Sequence, residues 1–182
     1  LYSCPISMTD GAAFILSSRI NKLPFTPPFH VAFQRLISEK DDHWTSSQWM
    51  TERAGGSDVQ NSKHGLQLAS ATSSFVSLGD GDYLVGGFKF FSSATDANLA
   101  LLLAKTPSGK LSTFLAPLRR TVVGADGVSK IVSNGVRIHR LKNKLGTKEL
   151  PTAELELKDM RAHLLGELDQ VIATIAPLLN VT

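Results

Sequence analysis

Short apolar or alternating runs, broken by turn residues at regular intervals, fill the chain from residue 48 to residue 160. Each run has the length of a strand and each break favours a reversal of direction, so this pattern disfavours long helices. We therefore predict an antiparallel β barrel or sandwich. The predicted strands cover residues 66–71, 83–85, 88–92, 99–104, 111–117, 135–141 and 153–157. Glycine-containing hairpin turns are expected at residues 79–82 and 107–110.

Helical spacing of apolar residues is found at both ends of the chain. Thr9 and Asp10 are predicted to cap a first helix, and residues 26–28, Thr-Pro-Pro, to start a second. After Gly166, apolar residues recur at helical spacing as far as Leu179. The predicted fold class is thus α+β, a barrel or sandwich flanked by partial helical domains. We expect the end of an N-terminal helical domain at 1–46, a middle β domain at 47–165 and the start of a C-terminal helical domain at 166–182.

Composition and charge exclude several classes of protein. The chain has 182 residues, of which 42% are hydrophobic, so it can bury a core and is not a disordered tail. Its net charge of +3 and its pI of about 9.1 do not by themselves argue for nucleic acid, but they suit polyanionic ligands such as dinucleotides or CoA. No apolar run reaches about 18 residues, so we expect no membrane span.

The single cysteine, Cys4, cannot form an intrachain disulfide, which favours an intracellular, reducing compartment. Cys4 itself is expected to be a small buried residue. The chain begins at Leu1 and stops within an apolar helical pattern, so we expect a fragment of a longer protein. Its histidines are scattered without the spacing of metal ligands, and no metal site is predicted.

Two segments carry residues suited to binding a ligand. The first segment, WMTERAGGSD at residues 49–58, is typical of a strand end that enters a glycine turn, where backbone N–H groups can converge on an anion. In the second segment, GFKFFSSA at residues 87–94, Phe91 and Ser93 are two apart on a strand and share a face. Alone, each segment is common as an ordinary turn or core strand. Together they offer the backbone groups, hydroxyls and aromatic surface that a buried isoalloxazine ring needs, and they predict a flavin site.

The order of these motifs resembles the acyl-CoA dehydrogenase family. That family has a Thr-Glu-x-x-Ala-Gly-Ser-Asp-like segment, a Gly-x-Lys-x-aromatic-x-hydroxyl strand, a Lys-x-Gly-x-Arg/Lys segment and a leucine-glycine exit from its middle β domain. Here they stand, in order, at residues 51–58, 87–93, 144–148 and 164–167. The helix start at residues 4–11, the Gly-Gly form of the loop and the phrase RLKNKLG at residues 140–146 resemble the AidB-like branch more closely.

The resemblance implies an FAD-dependent oxidoreductase that dehydrogenates the α and β carbons of an acyl-CoA thioester. The implied flavin contacts are Trp49, Met50, Thr51, Ser57, Phe91 and Ser93, of which Ser57 also meets the substrate. Two positions depart from the commonest pattern: Arg53 replaces a proline and Phe91 replaces a tryptophan. Both departures are compatible with flavin binding, but they alter the loop that shapes the substrate pocket and so do not support a standard fatty acyl-CoA as the substrate.

The resemblance also implies what this chain lacks. In the family the catalytic base lies in the C-terminal helical domain, so the base is expected beyond residue 182, and the chain alone is expected to be catalytically incomplete. Glu52 is assigned to the turn rather than to catalysis. Family members are commonly dimers or tetramers in which a neighbour completes the cofactor site, so a homo-oligomer is expected.

A basic stretch at residues 119–148, with eight Lys or Arg and a single acidic residue, leaves a second function open. The preferred interpretation is the solvated face of a strand pair, with Val136 and Ile138 inward and Arg137 and His139 outward. The alternative is an AidB-like flavoprotein that binds DNA or a partner protein under alkylation stress, with little dehydrogenase turnover. Without interleaved aromatic residues or a groove-reading helix, the stretch does not support specific DNA recognition.

Overall fold

A computed structural model describes residues 3–20, 27–53, 74–77 and 82–181. Helices there are α1 (Ser3–Arg19), α2 (Pro27–Leu36) and α3 (Val171–Val181). The strands are β1 (Ser46–Trp49), β2 (Ser74–Ser77), β3 (Asp82–Ser93), β4 (Leu99–Lys105), β5 (Leu111–Pro117), β6 (Arg119–Val123), β7 (Ser129–Ser133), β8 (Val136–Leu141) and β9 (Thr152–Leu164). The predicted strand at 66–71 and most of the predicted turn at 79–82 lie outside the described residues.

Seven of these strands form one large sheet. Its hydrogen-bonded order is β1–β4–β2–β3–β9–β5, with β8 paired to β9 and a further pairing of β4 with β5. Among the described strands, the two parallel pairings are those of β4 with β1 and with β2. Strands β6 and β7 form a separate antiparallel pair. The predicted α+β fold, a mostly antiparallel β domain between partial helical elements, is confirmed.

Strands β4 and β5 are apolar along most of their length because both of their faces are covered. On one face Leu102 and Phe114 belong to the core of the sheet. On the other face Leu101 and Leu115 pack against residues of the helices. A strand covered on both faces has a continuous apolar run rather than an alternating one, and each fully buried Leu or Phe contributes roughly 1.5–3 kcal/mol of transfer free energy.

The turn between β4 and β5 is the hairpin turn that the sequence predicts. The N–H of Thr106 donates to the carbonyl of Lys110 over 2.8 Å, and Gly109 has a φ of 86°. Asp169, which lies just before α3, accepts hydrogen bonds from the hydroxyls of Thr106 and Ser108. These bonds anchor the hairpin to the chain that enters α3.

Asn134 and Gly135 fix the change of direction between β7 and β8. The Asn134 side chain is buried, and its Nδ2 donates to the carbonyls of Pro117 and Arg161 over 2.7 and 2.8 Å. Gly135 has a φ of 72°, and an added Cβ would lie 2.3 Å from the carbonyl oxygen of Lys158. The position therefore requires glycine for its conformation and for its closeness to β9.

Helix α1 begins at Ser3, before the predicted cap at Thr9 and Asp10, so that prediction was wrong. The Thr9 hydroxyl donates to the carbonyl of Pro5 over 2.8 Å and accepts the N–H of Ser46 over 3.0 Å. A threonine whose hydroxyl is satisfied by the carbonyl four residues earlier is compatible with a helix interior. Cys4, which was expected to be buried, is exposed in the first turn of this helix.

The alternation predicted for β8 is partly wrong. Arg137 and His139 are exposed and Val136 is half-buried, but Ile138 is 53% exposed. Strand β8 pairs with β9 only among the described strands, and its register shifts between Ile138 and Arg140. An edge strand with a register shift does not keep strict alternation, which accounts for the exposed isoleucine.

Two features are absent from the part of the chain that the structure describes. None of its helices has both the length and the apolar composition that crossing a bilayer requires. No group of three or more His, Cys, Asp or Glu side chains in this part is placed to hold a metal ion.

Candidate functional site

The two candidate ligand-binding segments lie side by side. The N–H of Phe90, in β3, donates to the carbonyl of Thr51 over 3.0 Å. The chain that leaves β1 is thereby held against the second half of β3. Ser57 and the glycine turn from residue 54 onwards lie outside the described residues.

A β-bulge in β3 decides which of its side chains face inward. The residues of β9 that pair with Lys89 and Ser92 are only two apart, so β3 carries one extra residue here. Lys89 and Ser92 are completely buried, whereas Phe91 is 44% exposed and Ser93 is half-buried. By simple alternation Lys89, Phe91 and Ser93 would share a face. The bulge places Lys89 on the inner face and leaves Phe91 and Ser93 on the outer face.

Lys89 forms a buried ion pair with the first segment. Its Nζ lies 2.6 Å from Oε1 of Glu52 and donates to the carbonyl of Leu103 over 2.7 Å. Burial lowers the pKa of Lys89, while the charge and the hydrogen bond of Glu52 act in the opposite direction. Sequence reasoning places Glu52 in a turn and misses this partner. The available signal is a lysine between aromatic residues of a strand, since a lysine that faces a core needs an internal counter-charge.

Ser93 is part of a chain of polar contacts on the outer face. Its Oγ lies 2.9 Å from Oγ1 of Thr152, the residue opposite it on β9. Thr152 in turn accepts a hydrogen bond of 2.7 Å from Nζ of Lys144, which also donates to the carbonyl of Leu150 over 2.8 Å. Lys144 is the first residue of the Lys-Leu-Gly-Thr-Lys motif, so this chain connects that motif to the second segment.

Further along the same face, three cations surround one carboxylate. Glu154 accepts hydrogen bonds from Arg140 and from Lys142, and Arg53 lies 3.7 Å away. Lys142 and Arg53 also face the Phe90 ring, with the Lys142 Nζ 3.5 Å from its centroid. Arg140 and Lys142 belong to the basic stretch, so part of its positive charge is balanced within the protein. No contact of the described residues points to nucleic acid.

The Glu154 cluster predicts a specific sensitivity to acid. The hydrogen bond from Lys142 is the largest cause that holds the pKa of Glu154 below its usual value, and Arg140 adds to it. A group whose pKa is lower in the folded state contributes stability above its unfolded pKa and loses it as the pH falls through its folded pKa. We therefore expect Glu154→Gln to reduce the drop in melting temperature between about pH 6 and about pH 3. Thermal unfolding followed by circular dichroism measures this drop.

The control for this prediction is Glu149→Gln, because Glu149 is an exposed carboxylate outside the cluster. That variant should keep the pH dependence of the wild type. If the Glu154 and Glu149 variants respond to acid alike, the cluster does not produce the effect.

The predicted flavin contacts differ in burial and in the face of the sheet on which they lie. The Trp49 side chain is completely buried in the core of the sheet, so only its backbone can meet a ligand. Met50 packs against residues on the helix-facing side. Thr51 is half-buried, and its carbonyl is engaged by β3. Phe91 and Ser93 are the predicted residues whose side chains lie on the outer face. Their role as cofactor contacts stays a prediction.

Comparison with known proteins gives this geometry a family context. Residues 47–160 match the family model described as acyl-CoA dehydrogenase, middle domain. The acyl-CoA dehydrogenase family member 11 of Caenorhabditis elegans is 39% identical over 192 aligned residues, which cover 100% of this chain and 28% of that protein. A crystal structure of Caenorhabditis elegans ACDH-11 in complex with C11-CoA superposes with a TM-score of 0.81 at 39% identity, and covers 100% of this chain and 29% of that one.

Two further comparisons concern proteins with lower sequence identity to this chain. The putative acyl-CoA dehydrogenase AidB of Escherichia coli is 34% identical, and the match covers 90% of this chain and 28% of that protein. An acyl-CoA dehydrogenase of Bacillus anthracis, solved in complex with FAD, is 19% identical with a TM-score of 0.54 over 74% of this chain and 20% of that one, a similarity of fold. The chain spans 28% of the length of both curated relatives.

Proposed function

Since this chain belongs to the acyl-CoA dehydrogenase family, we propose that it supplies the flavin-binding part of an FAD-dependent oxidoreductase. In this proposal the substrate is an acyl-CoA thioester, which loses hydrogen from its α and β carbons, and residues 47–165 form the unit that binds flavin and substrate. The complex of ACDH-11 with C11-CoA supports this substrate class. The observation that carries the proposal is the outer face of β3, where the Phe91 ring and the Ser93 hydroxyl stand beside the chain that leaves β1.

The residues of this face fit an isoalloxazine ring. Phe91, 44% exposed, offers a ring surface on which a flat aromatic system can pack. Ser93 offers a hydroxyl on the same face, and the hydrogen bond between Phe90 and Thr51 brings the backbone of the first segment alongside. These groups are the kinds of partner that the ring needs once it is buried. When bound, FAD supplies an acceptor for a hydride equivalent.

The buried ion pair of Lys89 and Glu52 supports the outer face of β3 from the inner side of the sheet. Lys89 and Glu52 each lie within two residues of a proposed contact, Lys89 two residues before Phe91 and Glu52 directly after Thr51. The bond of Lys89 to the carbonyl of Leu103 extends the connection to β4. A binding site performs well when its contacts are held by rigid neighbours, and here a charge pair inside the sheet holds the contacts outside it.

Glu52 does not act as the catalytic base in this proposal. Its carboxylate is 7% exposed and bound to Lys89, so it cannot reach a substrate proton at the outer face. We place the base outside these 182 residues, in the remaining length that family relatives have. The chain alone is therefore expected to bind FAD without oxidising acyl-CoA.

Titration of FAD with the purified chain tests the proposal. The wild type should quench FAD fluorescence to saturation, and Phe91→Ala should weaken the affinity about tenfold, because it removes the stacking surface along with its apolar area. Phe14→Ala is the matched control, since Phe14 is 47% exposed but lies on α1. It should bind FAD like the wild type.

Two results would contradict the proposal. The first is a folded wild-type chain that leaves FAD fluorescence unchanged. The second is equal FAD affinity in the Phe91 and Phe14 variants, which would place any flavin binding elsewhere on the chain.

A further inference from the structure

The Ser93 hydroxyl is not an isolated group, because Thr152 lies 2.9 Å from it and Lys144 lies 2.7 Å from Thr152. Each hydroxyl has one hydrogen to donate and two lone pairs that accept, whereas an ammonium group only donates. Lys144 therefore occupies one lone pair of Thr152. The direction of the remaining bond decides what Ser93 can offer to a ligand.

Two acceptors compete for the hydrogen of the Thr152 hydroxyl. Oγ of Ser93 is 2.9 Å away, and the carbonyl of Leu150 is 3.5 Å away. The longer distance makes a poor hydrogen bond. The contact of 2.9 Å suits either oxygen as the donor, and the bond that Thr152 accepts from Lys144 favours Thr152 as the donor to Ser93. In that direction the Ser93 hydrogen stays available to a further acceptor.

We propose that Lys144, Thr152 and Ser93 form a directed chain of donors that aims the Ser93 hydrogen at an acceptor atom of the bound flavin ring. The inference rests on the proposed function, because FAD is its ligand. The charge of Lys144 polarises both hydroxyls in the same sense, which strengthens the last donor in the chain. Thr152 and Lys144 act here as positioning residues, and Ser93 makes the contact.

The chain of donors gives a physical reason for a lysine at the start of the Lys-Leu-Gly-Thr-Lys motif. Thr152 is 1% exposed and Lys144 is half-buried, so solvent does not replace their bonds freely. A purely structural role would instead have Lys144 hold the segment before β9 through the carbonyl of Leu150. The two roles differ in whether the effect of Thr152 passes through Ser93.

A double-mutant cycle on FAD affinity separates the donor-chain role from the purely structural role. Thr152→Val removes the donor at nearly constant shape and should weaken FAD binding about fivefold, and Ser93→Ala should weaken it to a similar extent. The double variant should be no weaker than Ser93→Ala alone. Thr152→Ser, which keeps the hydroxyl, should stay within about twofold of the wild type. Fluorescence titration gives the affinities, and the absorbance maximum of bound FAD should shift in Thr152→Val but not in Thr152→Ser.

Lys144→Met tests the charged end of the chain. It should weaken FAD binding about threefold and shift the flavin absorbance in the same direction as Thr152→Val. Lys148→Met, an exposed lysine of the same motif, is the control and should leave both readouts unchanged.

The outcomes distinguish this inference from the function on which it rests. If the wild type binds FAD but Thr152→Val binds it equally well, or if the Thr152 and Ser93 effects add, the donor chain is wrong while the proposed function stands. If the folded wild type binds no FAD, both the donor chain and the proposed function are wrong. Melting temperatures of all variants show whether a weak binder is still folded.

Discussion

Replacing Lys89 with methionine is expected to lower the free energy of unfolding by about 3–5 kcal/mol. The substitution keeps the length of the side chain but leaves the Glu52 carboxylate, 7% exposed, without the amine that lies 2.6 Å from it. Removing one partner of a buried ion pair costs more than the pair contributes, because the other charge stays out of water. Urea unfolding at neutral pH measures the difference.

Two controls accompany this prediction. Lys130→Met removes an exposed lysine from β7 and should change the free energy of unfolding by less than about 0.5 kcal/mol. Methionine at both position 52 and position 89 removes both charges, and it should recover much of the stability lost by Lys89→Met. If the double variant is as unstable as Lys89→Met, the loss does not come from the Glu52 charge that the ammonium group no longer balances. If Lys89→Met is too unstable to purify, a double variant that also cannot be purified leads to the same conclusion.

The second large effect is expected at the junction of β7 and β8. Gly135→Ala should lower the free energy of unfolding by more than about 2 kcal/mol. Gly135 has a φ of 72°, and its new Cβ would meet the carbonyl oxygen of Lys158 at 2.3 Å and backbone atoms of Met160 at 3.0 Å. Because these atoms belong to the backbone of β9, no side-chain rotation relieves the contact. The same unfolding experiment measures the loss.

Gly127→Ala separates the cost of a positive φ from the cost of the contact between the added Cβ and β9. Gly127 has nearly the same φ, 73°, but an added Cβ would have no atom within 4 Å. Its variant carries the conformational cost alone, roughly 1–2 kcal/mol. A Gly135 variant that loses no more stability than the Gly127 variant would show that β9 yields to the added methyl group.

The central strands could be predicted from the sequence because strands buried on both faces have a continuous run of apolar residues. The apolar runs of β4 and β5, and the glycine turn between them, are found where the pattern predicts them. The start of α1 was missed because Thr9 has the composition of a cap and yet finds its partners at Pro5 and Ser46. A cap residue identifies a helix start only when its hydroxyl has no better partner elsewhere.

The shared face of Phe91 and Ser93 could be predicted from the sequence, whereas the residues that support this face could not. The spacing of Phe91 and Ser93 places them on one face without any knowledge of the fold. The pairing of Lys89 with Glu52 joins residues 37 apart in sequence, and the chain from Lys144 to Ser93 depends on the register between β3 and β9. Neither register nor the bulge leaves a periodic signal, because an inserted residue merely interrupts the alternation that sequence patterns detect.

The extra residue in β3 sets a rule for changing the length of this strand. Deleting either Phe90 or Phe91 would restore regular pairing with β9 and would leave Lys89 and Ser93 three residues apart, on opposite faces as they are now. A strand of the present length without the bulge would instead place them four residues apart on one face, where the ammonium group and the serine hydroxyl could not both keep their present surroundings. A library of redesigned strands should therefore either keep the bulge at this length or shorten the strand by one residue, because the spacing and the bulge together decide which face each side chain occupies.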